Sequence, residues 1–317
     1  MTDLEQNRER LIEKAGFSSI PVICGPTASG KTGLSIRVAK ETSGQICCCD
    51  SMQIYTHLSI GTAKPTEEEQ AEVPHHLIDL VEPDVPFHVA SYLDAAYAKI
   101  EELLSQGVLP VFCGGTGQYV SALQKGISFV AAPVDHDLEE KYWEEFRRNG
   151  ITQIYEKLKA IDPAAIEKIH PNNTKRVIHT LALCESLGKT TEEIHRSSLE
   201  TGPRFPFTLF CISWPREELY QRVNLRVDQM MEDGLLDEAK WLYDQHYETS
   251  VTALQAIGYK EFFPYFEGKC ELSESVEFLK QHTRNYAKRQ LTWFRHMDDI
   301  HWIPFDMLKD FTVKSFI

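Results

Sequence analysis

Eight consecutive residues, Gly25-Pro26-Thr27-Ala28-Ser29-Gly30-Lys31-Thr32, fit the pattern G-x-x-x-x-G-K-[ST] in full. The chemistry open to such a run is the cradling of phosphate. Its glycines let successive backbone N–H groups turn inward, and the N-terminus of a following helix adds partial positive charge. The Lys31 ammonium can reach phosphate oxygens, and the Thr32 hydroxyl can hold Mg²⁺. The flanks suit this reading: the apolar run from Ile20 to Cys24 predicts a buried strand, and a helix is expected over 32–40. A phosphate loop usually works with an aspartate at the end of a later strand. The strand expected at 108–113 instead ends in Gly114-Gly115-Thr116-Gly117 and carries no acid. The acid at a strand end close to the loop is Asp50, which closes the apolar run 46–49. In a doubly wound sheet the C-terminal ends of neighbouring strands face one crevice, so Asp50 is expected beside the loop as a base or a substrate hook. The alternative is a helix N-cap, with Ser51 the first helical residue.

Other residues are candidates with less specific signals. Gly114, Gly115 and Gly117 permit close approach of a flat group or of backbone, and Thr116 adds a hydroxyl. Arg222 and Arg226 lie four apart on one helix face, where a guanidinium clamps a diphosphate or is an ordinary surface charge. Residues 60–65 form a loop carrying Lys64. His75 and His76 are adjacent, so their side chains point apart, and hydrogen bonding is expected in place of a shared metal. The eight cysteines form no C-x-x-C pair and no zinc spacing. Most fall in strand-like runs, where a free thiol behaves as a small apolar group, and this points to a reducing compartment, the cytoplasm.

The elements that must position these groups alternate. Strands at 20–24, 46–49 and 108–113 are separated by helices, the clearest holding Leu93, Ala96, Tyr97, Ile100, Leu103 and Leu104 at helical spacing. Such alternation implies a parallel sheet covered on both faces. From 135 to about 198 only helical stripes occur (Leu138, Tyr142, Phe146; Ile151, Ile154, Leu158; Val177, Leu181, Cys184), and a strand at 207–213 then returns to the sheet. Helices are expected over 215–232, 235–243 and 273–295, with an edge strand at 300–303. The expected architecture is therefore α/β: a P-loop-containing doubly wound parallel sheet core over 18–133 and 204–317, a helical insertion domain over 134–203, and a polar N-terminal tail over 1–17. The 317 residues are 42% hydrophobic, and no apolar run approaches the roughly 20 residues of a membrane span. The net charge of −14 argues against nucleic acid, but 168–184 and 280–296 hold lysines and arginines and no acid, which raises the prospect of local phosphate-binding surfaces. Residue chemistry alone stops at a Mg²⁺-dependent phosphate-loop enzyme and does not separate a kinase from another transferase.

The order of motifs goes further. GPTASGKT at 25–32, DSMQIY at 50–55, IGTAKP at 60–65, PHHLID at 74–79, GGTGQY at 114–119, IHPNNTKRVI at 169–178, QAIGYKE at 255–261 and TRNYAKRQLTWFR at 283–295 closely resemble the tRNA dimethylallyltransferase (tRNA isopentenyltransferase) family. The resemblance implies transfer of a dimethylallyl group from dimethylallyl diphosphate to N6 of adenosine 37, just 3′ of a tRNA anticodon, with release of diphosphate. It implies that Gly25 to Thr32 bind the diphosphate, with Mg²⁺ on Thr32. It also implies that Thr27, Lys31 and Arg226 act on the leaving group and that Asp50 accepts the proton from N6. Ser51, Met52, Gln53 and Thr116 would grip the target nucleotide. Lys175, Arg176, Val177, Ile178 and His179 would hold the anticodon stem-loop, and Gln255, Ala256, Ile257, Gly258, Tyr259, Lys260 and the basic helix 284–295 would meet RNA. A cytoplasmic monomer without a membrane partner is the corresponding expectation. The chain departs from the usual pattern at Gln118, at Cys47-Cys48-Cys49, at Lys175-Arg176 with His179, and at Glu139. The rival readings are an adenylate dimethylallyltransferase acting on free AMP, a P-loop kinase of a nucleoside or metabolite, and a non-catalytic RNA-binding module.

Overall fold

The computed structural model describes residues 12, 16–128, 135–200, 202–247, 252–314 and 316–317. Most of the expected tail at 1–17, and the expected domain boundary at 133/134, lie outside these residues. Six strands form one sheet: β1 (Ile20–Cys24), β2 (Gln45–Cys48), β3 (His75–His76), β4 (Pro110–Gly114), β5 (Phe207–Ser213) and β6 (Ile300–Pro304). Their order is β3-β2-β4-β1-β5-β6 and every pairing is parallel. The chain thus winds from β1 outward to β3, returns through β4 and leaves on the other side through β5, as a doubly wound sheet does. All five residues of β1 are buried, which is why its sequence is an apolar run without alternation.

Around the sheet lie α1 (Lys31–Thr42), α2 (Glu67–Glu72), α3 (Val89–Ser105) and α4 (Gly117–Lys125). Next come α5 (His136–Asn149), α6 (Ile151–Ile161), α7 (Pro163–Lys168), α8 (Thr174–Leu187) and α9 (Thr191–Ser198). The chain closes with α10 (Arg216–Glu232), α11 (Leu235–Asp244), α12 (Phe263–Phe266) and α13 (Leu272–Arg295). It divides into two compact units, one spanning Met1–Gln124 with Arg204–Ile317 and the other Lys125–Pro203. The second unit begins at Lys125, the last residue of α4.

In the first unit, one core packs Leu34, Val38 and Ala39 of α1 against Ile23, Ile46, Val111 and Phe210 of the strands. A separate core joins Ile54, Tyr55 and Leu58, after β2, to Val227, Leu235, Tyr259, Phe262 and Leu279. That second core gives the segment after Asp50 a floor even though it is not helical. No helix starts at Ser51: the Asp50 carboxylate accepts the Met52 N–H at 2.9 Å and makes a local turn, so the N-cap alternative does not hold. The second unit has its own core of Ile154, Leu158, Val177, Ile178 and Leu181. There the buried Asp162 caps α7 and also accepts the N–H and hydroxyl of Thr191, at 2.8 and 2.6 Å, tying α9 to it.

All eight cysteines are free, and six are buried. No helix among the described residues is long and apolar enough to cross a membrane. Just beyond β2, Cys49 lies against Gly114 of β4: a Cβ on Gly114 would stand 2.0 Å from the Cys49 carbonyl oxygen. Gly114→Ala should therefore cost ~1–3 kcal/mol of stability, the usual scale for overpacking. Chemical denaturation would read this as an earlier midpoint, and an unchanged midpoint would show that the strand ends absorb the methyl.

Candidate active site

Three loops leave the C-terminal ends of β1, β2 and β4, and they carry Gly25 to Thr32, Asp50 to Gln53, and Gly114 to Gly117 respectively. The first is shaped by residues of unusual backbone conformation: Gly25 has φ +143, Ala28 +61 and Gly30 +92. At Gly25 a Cβ would press to 3.3 Å on the backbone of Ile212 and on Ser29 Oγ. The loop carbonyls are tied on its outer side. Trp214 Nε1 donates to Ser29 O at 3.0 Å, and Arg222 Nε donates to Ala28 O at 2.8 Å. Lys31 Nζ donates to Pro26 O at 2.8 Å. Gly30 is the N-cap of α1 and no side chain caps that helix, so its first-turn N–H groups remain for an anion.

Below the loop lies a cavity of about 540 Å³. Thr27, Lys31 and Thr32 line it, together with Asp50, Ser51, Met52 and Gln53, and Arg226 reaches it from α10. Burial dominates the electrostatics. It pushes the Asp50 carboxyl above its ordinary value, against the opposing pull of the Met52 N–H, the Lys31 ammonium and other nearby donors. It also pushes the Lys31 ammonium down, with Arg226 acting in the same direction and Cys113 and Asp50 opposing. The two arginines that the sequence leaves equivalent are distinct here. Arg222 is committed to the Ala28 carbonyl and stacks 4.4 Å over Trp214, whereas half-buried Arg226 faces the cavity.

The second and third loops are joined. The Ser51 N–H donates to Thr116 Oγ1 at 2.9 Å. Gln53 Nε2 donates to Thr62 O at 3.1 Å and Ala63 O at 2.9 Å, while its Oε1 accepts the Cys48 thiol at 3.1 Å. The wall holding Thr62 and Ala63 is itself pinned by Glu238. That carboxylate accepts the N–H groups of Ser59, Ile60 and Gly61, each at 2.9 Å, and the Tyr259 hydroxyl at 2.7 Å. Lys64 is structural: its buried ammonium donates to Tyr55 O at 2.8 Å and to Asp79 Oδ1 at 2.5 Å. The histidines hydrogen-bond as expected, His75 Nδ1 donating to Val73 O at 2.8 Å and His76 Nε2 lying 2.7 Å from Gln45 Oε1. His75 lines the cavity with its Nε2 buried and unpartnered, and burial lowers its pKa, favouring the neutral ring.

Within 255–260, Gln255, Ala256, Ile257, Gly258 and Lys260 line the cavity. Tyr259 does not: it is fully buried on Glu238, so its part is to hold the segment. On the basic helix α13, Arg284 donates to Asn224 Oδ1 at 2.6 Å, while Lys288, Arg289 and Arg295 are exposed. In the second unit, taken by itself, Lys175, Arg176 and His179 are exposed on α8, and His179 lies 3.6 Å from Glu139. Val177 and Ile178 are fully buried in that unit's core, and their side chains are closed to a partner. Gln290 lies inside the 283–295 motif without an assigned role; it is 5% exposed and accepts the Thr27 N–H at 2.8 Å. A polar residue in register with buried Leu279, Ala287 and Phe294 was the available signal.

Comparison with known proteins adds the following. Residues 53–297 match the family profile described as IPP transferase, and residues 18–79 match that described as isopentenyl transferase. The chain is 45% identical over 290 residues to the tRNA dimethylallyltransferase of Acetivibrio thermocellus, spanning 92% of this chain and 93% of that one. It superposes on the tRNA isopentenylpyrophosphate transferase of Bacillus halodurans with a TM-score of 0.67 at 38% identity, covering 92% of this chain and 93% of that chain. Against a eukaryotic dimethylallyltransferase acting on tRNA, the TM-score is 0.78 at 29% identity, over 94% of this chain and 75% of that chain.

The loop and its two cations should bind inorganic diphosphate directly. Lys31→Ala and Arg226→Ala should each weaken that binding about 10- to 150-fold, the ~1.5–3 kcal/mol of a charged hydrogen bond. Isothermal titration measures it, and parent-like affinity in either variant would remove that side chain from the anion site.

Proposed function

The chain belongs to the IPP transferase family and carries tRNA dimethylallyltransferase activity on adenosine 37; from that premise we propose that the strand-end cavity is where the transfer occurs and that Asp50 is its base. The observation that carries this reading is the convergence of Lys31, Thr32, Asp50 and Arg226 on one cavity, complete within the sheet-bearing unit.

The substrate diphosphate lies along Gly25 to Thr32, with its negative charge on the first-turn N–H groups of α1. The exocyclic amine of adenine is a weak nucleophile because its lone pair is delocalised into the ring. N6 attacks the first carbon of the dimethylallyl group as the carbon–oxygen bond to diphosphate breaks. The amine proton passes to the Asp50 carboxylate, and the bonding pair leaves with the diphosphate. Lys31 and Arg226 stabilise the charge growing on that leaving group, and Thr27 contacts it. An acid to activate water is not required, which accounts for the glycine turn at the end of β4. Ser51, Met52, Gln53 and Thr116 hold the target base, which must leave its stack to enter, at less cost in a loop than in a duplex.

Thr32 offers a hard-oxygen donor that suits Mg²⁺. No cluster of three His, Cys, Asp or Glu occurs among the described residues, so substrate oxygens and water would complete the shell. When bound, the ion supplies further positive charge beside the departing diphosphate. Lys175, Arg176 and His179 on α8 are the second unit's proposed contacts to the anticodon stem-loop, and, taken separately, Lys288, Arg289 and Arg295 on α13 are the first unit's proposed contacts to RNA phosphates. A tRNA substrate fits a cytoplasmic enzyme.

Labelled dimethylallyl diphosphate, Mg²⁺ and unmodified tRNA should give label in RNA, at adenosine 37. Label passing to AMP in preference to tRNA would overturn the reading. Asp50→Ala should retain tRNA binding and lose about 10²- to 10⁴-fold in turnover, the contribution of a general base. Only the ionised carboxylate accepts a proton, and burial raises the Asp50 pKa. In the parent chain kcat/KM should therefore fall as pH drops through a limb lying above the 3.8 of an unperturbed aspartate. A flat profile down to that value would assign the proton transfer elsewhere.

A further inference from the structure

We propose that Gln290 is a positioning residue that sets the separation between the two reacting partners, a role resting on the reading of the cavity given above. Its side-chain amide spans the two halves of the site. Oε1 accepts the Thr27 N–H at 2.8 Å, on the diphosphate side, and Nε2 donates to Gly115 O at 2.9 Å, on the adenosine side. The next residue on that side, Thr116, accepts the Ser51 N–H at 2.9 Å, and Ser51 adjoins Asp50. One buried amide thus lies in an unbroken line from the leaving-group cradle to the base.

The amide has one workable orientation. Thr27 offers only a donor and Gly115 only an acceptor, so the oxygen must face the first and the nitrogen the second. The Tyr286 hydroxyl, pushed up by burial, interacts with both Thr116 and Gln290 from one turn earlier on α13. Gly115 is fitted to the contact: a Cβ there would stand 2.2 Å from Gln290 Nε2. Gly115 does not carry a positive φ, and the obstructed atom is the far end of a flexible side chain. A methyl at this position therefore displaces the amide first, with the Gly25 carbonyl oxygen next at 3.3 Å, while leaving the backbone conformation available. Gln290 and Gly115 can be perturbed separately through the same hydrogen bond.

Gln290 lines the cavity, but both ends of its amide are engaged by backbone, so its loss should alter the register of two sites that each remain able to bind. Gln290→Leu removes both bonds, Gln290→Glu keeps the acceptor for Thr27 but sets a carboxylate against the Gly115 carbonyl, and Gly115→Ala pushes the amide away. The test is a single-turnover measurement with enzyme in excess over tRNA, which does not depend on the fraction of active protein. Direct titrations of diphosphate and tRNA accompany it. Each variant should lose about 10²-fold in the transfer rate constant, the scale of a ~1 Å misplacement of reacting groups. Both dissociation constants should stay near those of the parent. The double variant Gln290→Leu with Gly115→Ala should be no slower than the slower single, because both act through one contact. A parent-like rate constant in Gln290→Leu, losses that multiply in the double variant, or losses confined to diphosphate or tRNA affinity would overturn the proposal. Absence of transfer to tRNA by the parent chain would overturn the functional reading and the proposal with it.

Discussion

A carboxylate and an ammonium share a cavity in which burial acts against the charge of each. Neither group could stay there without compensation, and the structure supplies it mainly from backbone. Asp50 takes a local N–H from its own turn, and Lys31 rests on the Pro26 carbonyl. The consequence is chemical. Asp50 is a stronger base than an exposed aspartate, and Lys31 gives up its proton more readily than an exposed lysine. The parallel register of β1, β2 and β4 brings the two groups to one edge, because successive strand ends must open on the same side of the sheet.

Preorganisation of the phosphate loop comes from outside it. Its carbonyls at Ala28 and Ser29 are held by Arg222 and Trp214, groups that never enter the cavity. With the oxygens drawn outward, the N–H groups at the start of α1 have one direction left to face. Trp214 in turn stacks on Phe305 at 4.5 Å, just beyond β6. The last strand of the sheet therefore supports the first loop of the chain.

Much of this was legible in the sequence, and the boundary of legibility has physical causes. The phosphate loop and the strands at 20–24 and 207–213 are encoded locally, by glycine placement and by apolar runs, and they lie where expected. Asp50 was identified at a strand end, but whether its carboxyl capped a helix or closed a turn depends on the core built by residues up to Leu279. Arg222 and Arg226 share a helix face, and only the position of Trp214 separates the arginine that braces the loop from the one that reaches the cavity. Val177 and Ile178 sit in a motif yet point into a core, since a helical motif carries its buried face along with its exposed one. Gln290 was hidden because its partners lie 263 and 175 positions away in the chain.

The Glu238 contact repeats the phosphate loop in miniature. Ser59, Ile60 and Gly61 turn three successive backbone donors toward one point, which is the geometry of an anion nest. Here the anion is part of the protein. An internal ligand is present at an effective concentration that free phosphate in solution does not match. This nest is sealed from within, whereas the first-turn N–H groups of α1 have no side-chain cap. With Glu238 in place, the N–H groups of Ser59 to Gly61 are withdrawn from competition for ambient phosphate.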